Sequence, residues 1–422
     1  MKKLNLFSLI VAALISACTN EPQMESSGDD PSAKDLTTKA EQLITKAQQA
    51  RALFYPSQSR SVSTDATIEY VVSRNSRSEA DTLLSIVNFA DNQGFVIITD
   101  KAEVPEILAV TDDGNLIPGL NDNPGLQQYL DNAEAALSTL PHRGPGGSTP
   151  LDPTKPYLFD TESVYDTIST IPPKVQVRWG QGAPYKRFCP IIDGVQAPAG
   201  CAPIAAAQAM TYFKHPLSFT WDVDGSQTTM SLNWIEINKH IGNAKYGLPE
   251  LCYDSEATHN SMGKLIRQIG KDMDAEYKKF STEVRPSMIP PAMRTFGYTA
   301  TNMQTFSNDD NYNGSSIWIF CGWTNKGKGH AYIVDGRCLI RGNHTEYIAD
   351  PSTTPPTIVE IVRQYTTQTD YLHVNWGWDG YSNGYFYYGS FNTSNPAIKD
   401  YPSVGTANYN FTEDIKYTAV SH

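Results

Sequence analysis

The chain has 422 residues, of which 40% are hydrophobic and 18% are charged. This length and composition predict a globular protein of two or three domains with a substantial core. A formal net charge of −12 at pH 7 argues against nucleic acid as a partner.

The first 18 residues have the pattern of an export signal. Two lysines precede an apolar run, residues 4–15, that is too short to span a bilayer as a helix. The run ends in small residues followed by Cys18, an order that resembles a bacterial lipobox; the alternative is an ordinary signal peptide that ends near a cysteine. We predict an exported lipoprotein whose lipidated Cys18 anchors it to a membrane, facing the periplasm or the cell surface, or secreted after processing. Residues 19–34 are polar, which predicts a flexible tether.

Residues 35–140 predict a small α+β domain. Apolar residues recur at helical spacing in residues 35–54 and 125–137, and shorter apolar runs bounded by turn residues indicate strands between these helices. The predicted strands are residues 68–73, 82–89, 94–99 and 104–110.

Residues 141–173 separate this domain from the rest of the chain. Proline and glycine recur through residues 141–156, so no regular element is expected there. Basic residues lie in or just after the segment, which makes it a suitable site for proteolysis. We predict an activation linker, and a passive linker is an equal alternative on this pattern alone.

Residues 174–422 predict a larger, densely packed domain. All seven tryptophans of the chain fall here, among glycine-rich turns. Helical spacing indicates helices over residues 202–210 and 261–270, and apolar runs indicate strands later in the chain. The strongest of these runs are residues 317–321, 330–335, 372–376 and 384–388. Helices followed by strands predict an α+β fold.

Cys201 is the strongest candidate for a nucleophile. Five cysteines remain after Cys18, and an odd number in an exported protein indicates a free thiol. Gly200 precedes Cys201 and an alanine-rich run containing Pro203 follows, which predicts a helix that begins at the cysteine. The positive end of a helix dipole favours the thiolate, which is the reactive form. The alternative is a small buried cysteine in a core helix.

A thiol nucleophile needs a base and a group that orients the base. His330 opens an apolar strand after a glycine-rich approach, so its imidazole is expected to face a cleft. Asn375 and Trp376 end another strand, where an amide can hold an imidazole and an indole can shield it. His373 shares a face with Asn375 and is a weaker candidate for the base. A hydrogen-bonded core histidine and a tryptophan-packed turn are the structural alternatives.

Acyl chemistry also needs donors for the developing oxyanion. The backbone N–H of Cys201 is one candidate, because it lies at a helix start. Gln181 and Gln196 both precede Cys201 and carry side-chain amides. The sequence leaves the choice between these two glutamines open.

Three motifs, in chain order, resemble the streptopain family of cysteine peptidases. They are Gly200-Cys201 with Ala205, Gln208 and Met210, then Gly329-His330-Ala331 with Val334-Asp335-Gly336, then His373-Val374-Asn375-Trp376-Gly377-Trp378. Trp179-Gly180-Gln181 is similar to the same family, and residues 86–89, 94–98 and 104–109 are similar to its inhibitory pro-domain. The chain departs from the family in two places. One is Ala202-Pro203, where less bulky turn residues are expected, and the other is Asp379, where glycine is expected.

The resemblance implies a zymogen. An inhibitory pro-domain over residues 35–140 would precede a papain-like, two-lobed cysteine endopeptidase over residues 174–422. Cys201 would be the nucleophile, His330 the general base and acid, and Gln181 an oxyanion donor. Asn375 or Trp376 would support the histidine.

The same resemblance implies the partners of the chain, which are protein or peptide substrates and its own pro-domain. No cofactor is expected, and no cysteine or histidine cluster has the spacing of zinc ligands. The alternatives are another Cys-His acyl enzyme, such as a cell-wall amidase or a transglutaminase-like transferase, and a catalytically inert surface lipoprotein.

Overall fold

The computed structural model describes residues 31–56, 65–72, 82–101, 104–138, 140, 157–243, 250–253, 255–307, 309–324, 327–350, 357–391 and 415–422. The predicted signal, residues 1–18, lies outside the described residues, as does most of the predicted tether. Within the described ranges, no helix is both long enough and apolar enough to cross a membrane.

The described chain is a mixture of helices and strands. In chain order its elements are α1 (Pro31–Phe54), β1 (Ala66–Val72), β2 (Thr82–Phe89), β3 (Phe95–Ile98), β4 (Ile107–Thr111), α2 (Pro124–Leu137), β5 (Tyr157–Ile171), β6 (Ile191–Ile192), β7 (Val195–Gln196), α3 (Cys201–Phe213), β8 (Ser218–Trp221), β9 (Thr228–Ser231), α4 (Trp234–Ile237), β10 (His240–Gly242), β11 (Leu251–Cys252), α5 (Glu256–Asp272), β12 (Glu276–Tyr277), β13 (Thr282–Glu283), α6 (Ile289–Thr295), β14 (Thr299–Ala300), β15 (Gln304–Thr305), β16 (Ile317–Trp323), β17 (Gly329–Asp350), β18 (Thr357–Asn375), β19 (Gly384–Tyr387) and β20 (Lys416–Ser421).

The helices form where the sequence predicts them, with small differences at their ends. Helix α1 begins at Pro31, four residues before the predicted start. Helix α2 begins at Pro124 because Asn123 caps it: the Asn123 Oδ1 atom accepts hydrogen bonds from the backbone N–H groups of Gly125 and Leu126, at 3.0 and 3.3 Å. A proline at the first helical position has no N–H to leave unpaired.

One antiparallel sheet runs through both halves of the chain. Its strand order is β1-β2-β3-β4-β19-β18-β17-β16-β20-β14, with β15 paired to β20 and β5 paired to β17. The junction is the pairing of β4 with β19, in which Ala109 faces Phe386 and Thr111 faces Gly384. Backbone hydrogen bonds therefore join the N-terminal domain directly to the second domain.

Two hydrophobic clusters fill the molecule. The first joins the N-terminal domain to the sheet side of the second domain; for example, the Phe54 and Tyr371 ring centroids are 4.9 Å apart, and those of Tyr129 and Phe386 are 5.0 Å apart. The second cluster surrounds α3 and α5. These clusters form the two sides of an α+β second domain, which agrees with the predicted fold class, and the candidate site lies where they meet.

The predicted activation linker, residues 141–173, contains a regular element. Strand β5 covers 15 of its residues and pairs with β17 over Tyr157–Ile171. Residues 157–171 therefore do not form the predicted open segment, because their backbone pairs with β17. The prediction of an open, cleavable segment now applies to residues 141–156, which lie outside the described residues.

Candidate active site

Cys201 is the first residue of α3, as the sequence predicts. The preceding Gly200 has φ 94°, in the left-handed region that favours glycine, and a Cβ atom there would lie 2.8 Å from Thr282 Cγ2. Helix α3 is buried from Ala202 to Thr211, because its small alanine side chains let it pack closely within the second hydrophobic cluster. The loop and the helix together hold the thiol in one place.

The Cys201 thiol points towards strand β17. Burial raises the pKa of this thiol, while the backbone N–H of Ala331 and the N–H groups of Ala202 and Cys201 itself favour the thiolate. The N–H groups at the helix start lower the thiol pKa, as predicted, but burial raises this pKa by more. Ala331 directly follows His330 in the chain, so the contact with the Ala331 N–H brings the Cys201 sulfur to the strand of His330.

His330 lies near the start of β17, opposite Gly322 of β16, and it is buried. Its Nε2 atom lies 2.7 Å from the backbone carbonyl oxygen of Trp376. Because a carbonyl only accepts, Nε2 carries the hydrogen in this contact and Nδ1 is left as the basic nitrogen. Burial lowers the pKa of His330 to about 4, against the opposing effect of the Trp376 carbonyl.

Asn375 and Trp376 organise the turn that reaches His330. The Asn375 amide donates to the Val177 carbonyl at 2.8 Å and accepts from the Gly377 N–H at 3.1 Å. The Trp376 indole donates to the Ser382 carbonyl at 2.9 Å. In the described residues, the group that bonds the imidazole is the main-chain carbonyl of Trp376, and neither of these two side chains does so.

Gln208 is a site residue whose role the sequence analysis missed. It lies seven residues after Cys201 on α3, and its buried Oε1 atom accepts from the Trp179 N–H at 3.0 Å and from the Asn375 amide at 3.2 Å. One side chain therefore ties the nucleophile helix to the loop of Gln181 and to the turn after β18. A glutamine within an otherwise apolar, alanine-rich helix was the available signal.

His373, the weaker base candidate, belongs to a separate buried pair. Its Nδ1 atom lies 2.6 Å from Asp335 Oδ1, and Asp335 Oδ2 accepts from the Val175 N–H at 2.8 Å. Both side chains are largely buried. The pair fastens the first residues of the second domain to β17 and β18.

The two candidate oxyanion donors differ in what they already bind. The Gln181 carbonyl accepts from the Ala199 N–H at 3.0 Å, which places Gln181 beside the loop that leads into Cys201. The Gln196 amide instead donates to the Arg187 carbonyl at 2.7 Å. Among the described residues the Gln181 side chain has no hydrogen-bond partner, so its amide is available to a substrate.

The start of helix α2 covers the candidate site. A Cβ atom on Gly125 would lie 2.6 Å from Trp376 Cε3 and 2.8 Å from His330 Cδ2, so the backbone of α2 packs directly on both rings. Gln128 of the same helix packs on Gly322, the strand partner of His330. The sequence analysis predicts this helix but did not identify these contact residues; the Asn-Pro-Gly start of the helix was the available signal.

Polar contacts fasten the N-terminal domain beside the site. The Trp378 indole donates to Asp122 Oδ1 at 3.0 Å, and Arg178 Nη1 lies 2.7 Å from Asp113 Oδ2. Burial, together with the neighbouring Asp112 carboxylate, raises the pKa of Asp113 to about 8, while Arg178 opposes the shift. The covering helix is thus held by a continuous sheet, a shared core and these side chains.

We expect His330 to stay neutral from pH 5 to pH 8 in the full-length chain, because its pKa of about 4 lies below this range. An exposed imidazole has a pKa near 6.5, so His330 binds a proton more readily once the covering domain has moved away. Proton uptake therefore favours the uncovered state, and acid should weaken the docking of the covering domain as the pH falls from about 6.5 towards 4. The measurement is an NMR pH titration of carbon-labelled histidine in Cys201→Ala, with His330→Gln to assign the signal. A midpoint near 6.5 would contradict the buried environment.

The fold and the site define a cysteine peptidase preceded by an inhibitor domain. Comparison with known families gives the same result: residues 179–386 match the Peptidase C10 family, and residues 35–137 match the Spi protease inhibitor family. The chain belongs to the Peptidase C10 family and is a zymogen with a Spi-type pro-domain. The predicted resemblance to the streptopain family is confirmed.

The chain is similar to named peptidases of several bacteria. Streptopain of Streptococcus pyogenes is 22% identical over 340 residues, which cover 71% of this chain and 73% of streptopain. The thiol protease/hemagglutinin PrtT of Porphyromonas gingivalis is 22% identical over 81% of this chain and 38% of PrtT. The solved structure of a prointerpain A fragment of Prevotella intermedia covers 84% of this chain and 98% of the fragment, with 17% identity and a TM-score of 0.49.

Proposed function

We propose that this chain is an exported cysteine endopeptidase in which Cys201 is the nucleophile and His330 is the general base and acid. The observation that supports these roles is the meeting of two elements: the start of α3 places the Cys201 thiol by the Ala331 N–H, and the imidazole belongs to the preceding residue of the same strand. The separate buried pair of His373 with Asp335 supports the choice of His330 as the base.

In the proposed mechanism His330 takes the proton of the Cys201 thiol, and the thiolate attacks the carbonyl carbon of a peptide bond. The oxyanion accepts hydrogen bonds from the Cys201 backbone N–H and from the Gln181 amide. His330 then gives its proton to the leaving amine, and water hydrolyses the thioester to release the acyl part. Asn375 and Trp376 act as positioning residues, through the turn whose carbonyl holds the imidazole.

Removal of the covering domain is required before this chemistry starts. With α2 in place, the Gly125 backbone occupies the space beside the imidazole, and burial favours the uncharged thiol and imidazole. We propose that cleavage between residues 141 and 174 separates the pro-domain (residues 35–140) from the peptidase (residues 174–422). Because β5 pairs with β17, we propose that the cleavage point lies within residues 141–156.

Export and anchoring belong to the same proposal. The charged start, the short apolar run and the small residues before Cys18 support a lipoprotein signal over residues 1–18, with a tether over residues 19–34. Radiolabelled palmitate incorporation in a bacterial host, compared between wild type and Cys18→Ala, tests this part. Equal labelling of the two chains would leave only an ordinary signal peptide.

The test of the peptidase assignment compares the full-length chain with Cys201→Ala under reducing conditions. We expect the wild type to shorten to a fragment that starts between residues 141 and 174 and then to hydrolyse casein, while Cys201→Ala stays intact. Intact mass and casein hydrolysis are followed over time, and an added protease is tried if the wild type does not shorten. A trimmed wild type that leaves casein untouched would favour an amidase or an acyl transferase instead.

A further inference from the structure

A pocket of about 260 Å³ borders the candidate site on the side of Gln181 and Trp378. Lys186 lies on one wall, and Lys279 and Phe280 lie on another, on the turn between β12 and β13. The Phe280 side chain is 79% exposed, so an aromatic ring stands at the pocket edge without a core to pack against. A pocket with such walls next to a peptidase site is a candidate for reading a substrate side chain.

The charges around this pocket are unevenly balanced. The carboxylate of Glu283, beside Lys279, pairs with Lys278 at 2.8 Å. In the described residues neither Lys186 nor Lys279 has a carboxylate partner; Lys186 Nζ has only the Gln196 carbonyl, at 3.5 Å. The carboxylate that lines the pocket is that of Asp379, which is buried against Gly180. Two half-buried lysines and one buried aspartate therefore line the pocket.

Trp378 identifies the side of the substrate that enters this pocket. Its ring lies edge-on to the His330 imidazole, with centroids 5.6 Å apart, and it also forms a wall of the pocket. In the proposed mechanism His330 protonates the leaving amine, so the leaving part of the substrate passes this ring. The covering domain places a carboxylate beside the same ring, because the Trp378 indole donates to Asp122 at 3.0 Å.

We propose that this pocket binds an acidic side chain of the substrate, on the leaving-group side of the scissile bond. The inference rests on the proposed peptidase function and adds a substrate class to it. The two ammonium groups pair with the carboxylate, and Trp378 and Phe280 contact the methylene groups of the same side chain. Lys186 and Lys279 are thus specificity-determining residues.

The experiment uses internally quenched peptides cleaved by enzyme activated from the full-length chain. Each peptide carries Glu, Gln or Lys at one of three positions on either side of a common scissile bond. We expect Glu to exceed Gln by about threefold to tenfold in kcat/KM at one position on the leaving-group side, and the ratio to fall at high salt. Equal values for Glu and Gln at every leaving-group position, or a preference for Glu only on the acyl side, would overturn the inference.

The variants Lys186→Gln, Lys279→Gln and their combination assign the effect to residues. The matched control is Lys239→Gln, because Lys239 is an exposed lysine that does not line the pocket and pairs with Glu236. We expect the Glu preference to disappear in the double variant and to persist in the Lys239→Gln control, which should also cleave the Gln peptide at the wild-type rate. A preference that survives the double variant would also overturn the inference. If the activated wild type cleaves none of the peptides, the proposed peptidase function itself is contradicted.

Discussion

Replacing His330 by alanine is expected to lower kcat/KM for peptide hydrolysis by about 10⁴-fold or more, because the thiol then has no base and the leaving amine no acid. The effect should appear mainly in kcat, since the imidazole acts on the reacting atoms rather than on remote parts of the substrate. The measurement is steady-state hydrolysis of a peptide by enzyme trimmed with an added protease, because self-processing would be lost too. Residual activity within tenfold of wild type would remove His330 from the proposed mechanism.

His373→Asn is the matched control for this experiment. The Asn Nδ2 atom stands close to the position of the His373 Nδ1 atom, so it can still donate to Asp335, whose other oxygen holds the Val175 N–H. We expect activity within about threefold of wild type and a small decrease in Tm, because a buried ring is replaced by a smaller side chain. A loss as large as that of His330→Ala would show that the two histidines were assigned to the wrong roles.

Replacing Gly125 by valine is expected to relieve inhibition of the full-length chain. A Cβ atom at this position lies 2.6 Å from Trp376 Cε3 and 2.8 Å from His330 Cδ2, and both rings are buried and unable to move aside freely. An overpacked contact costs about 1–3 kcal/mol, which corresponds to about fivefold to 150-fold weaker docking of α2. The structure records no left-handed φ at Gly125, so the effect is a contact effect rather than backbone strain.

The readouts are the rate of self-processing and the rate of iodoacetamide labelling of Cys201 before any cleavage. We expect both rates to rise in Gly125→Val, and Gly125→Ala to give a smaller rise. Ala135→Val, on the same helix but away from the candidate site, controls for the lower helix propensity of valine. If Gly125→Val and Ala135→Val behave alike, the contact between α2 and His330 is not what inhibits the chain.

Much of the candidate site was accessible to sequence reasoning, since its chemistry depends on residue types with strong local signals. Gly200 before Cys201 and the alanine run after it predict a buried helix that starts at the thiol, and this is where α3 begins. The start of β17 at Gly329 follows from the glycine-rich approach and the apolar run. Asp379, the departure from the family, has φ 56°, the left-handed conformation for which glycine is the usual residue.

The long parts of β17 and β18 were not predicted. The sequence analysis placed strands only over residues 330–335 and 372–376, whereas the structure has 22 and 19 residues in these strands. Charged and polar side chains interrupt the apolar residues in these additional parts, so neither part has the continuous apolar run on which the prediction depended. β17 and β18 pair with each other as one long hairpin, and β17 also pairs with β5, a segment far earlier in the chain.

The sequence by itself predicted the residues proposed for the chemistry and determined the order of the parts: an N-terminal inhibitor domain, then the helix that starts at Cys201, then the strand of His330 and the turn at Asn375. These depend on local periodicity, on turn residues and on short motifs, which neighbouring residues decide. Only the tertiary structure decided that the Trp376 carbonyl holds His330, that Gln208 joins three segments, and that Gly125 packs on the imidazole. Each of these contacts joins residues from different segments of the chain, and their distances follow from packing and sheet pairing rather than from local pattern.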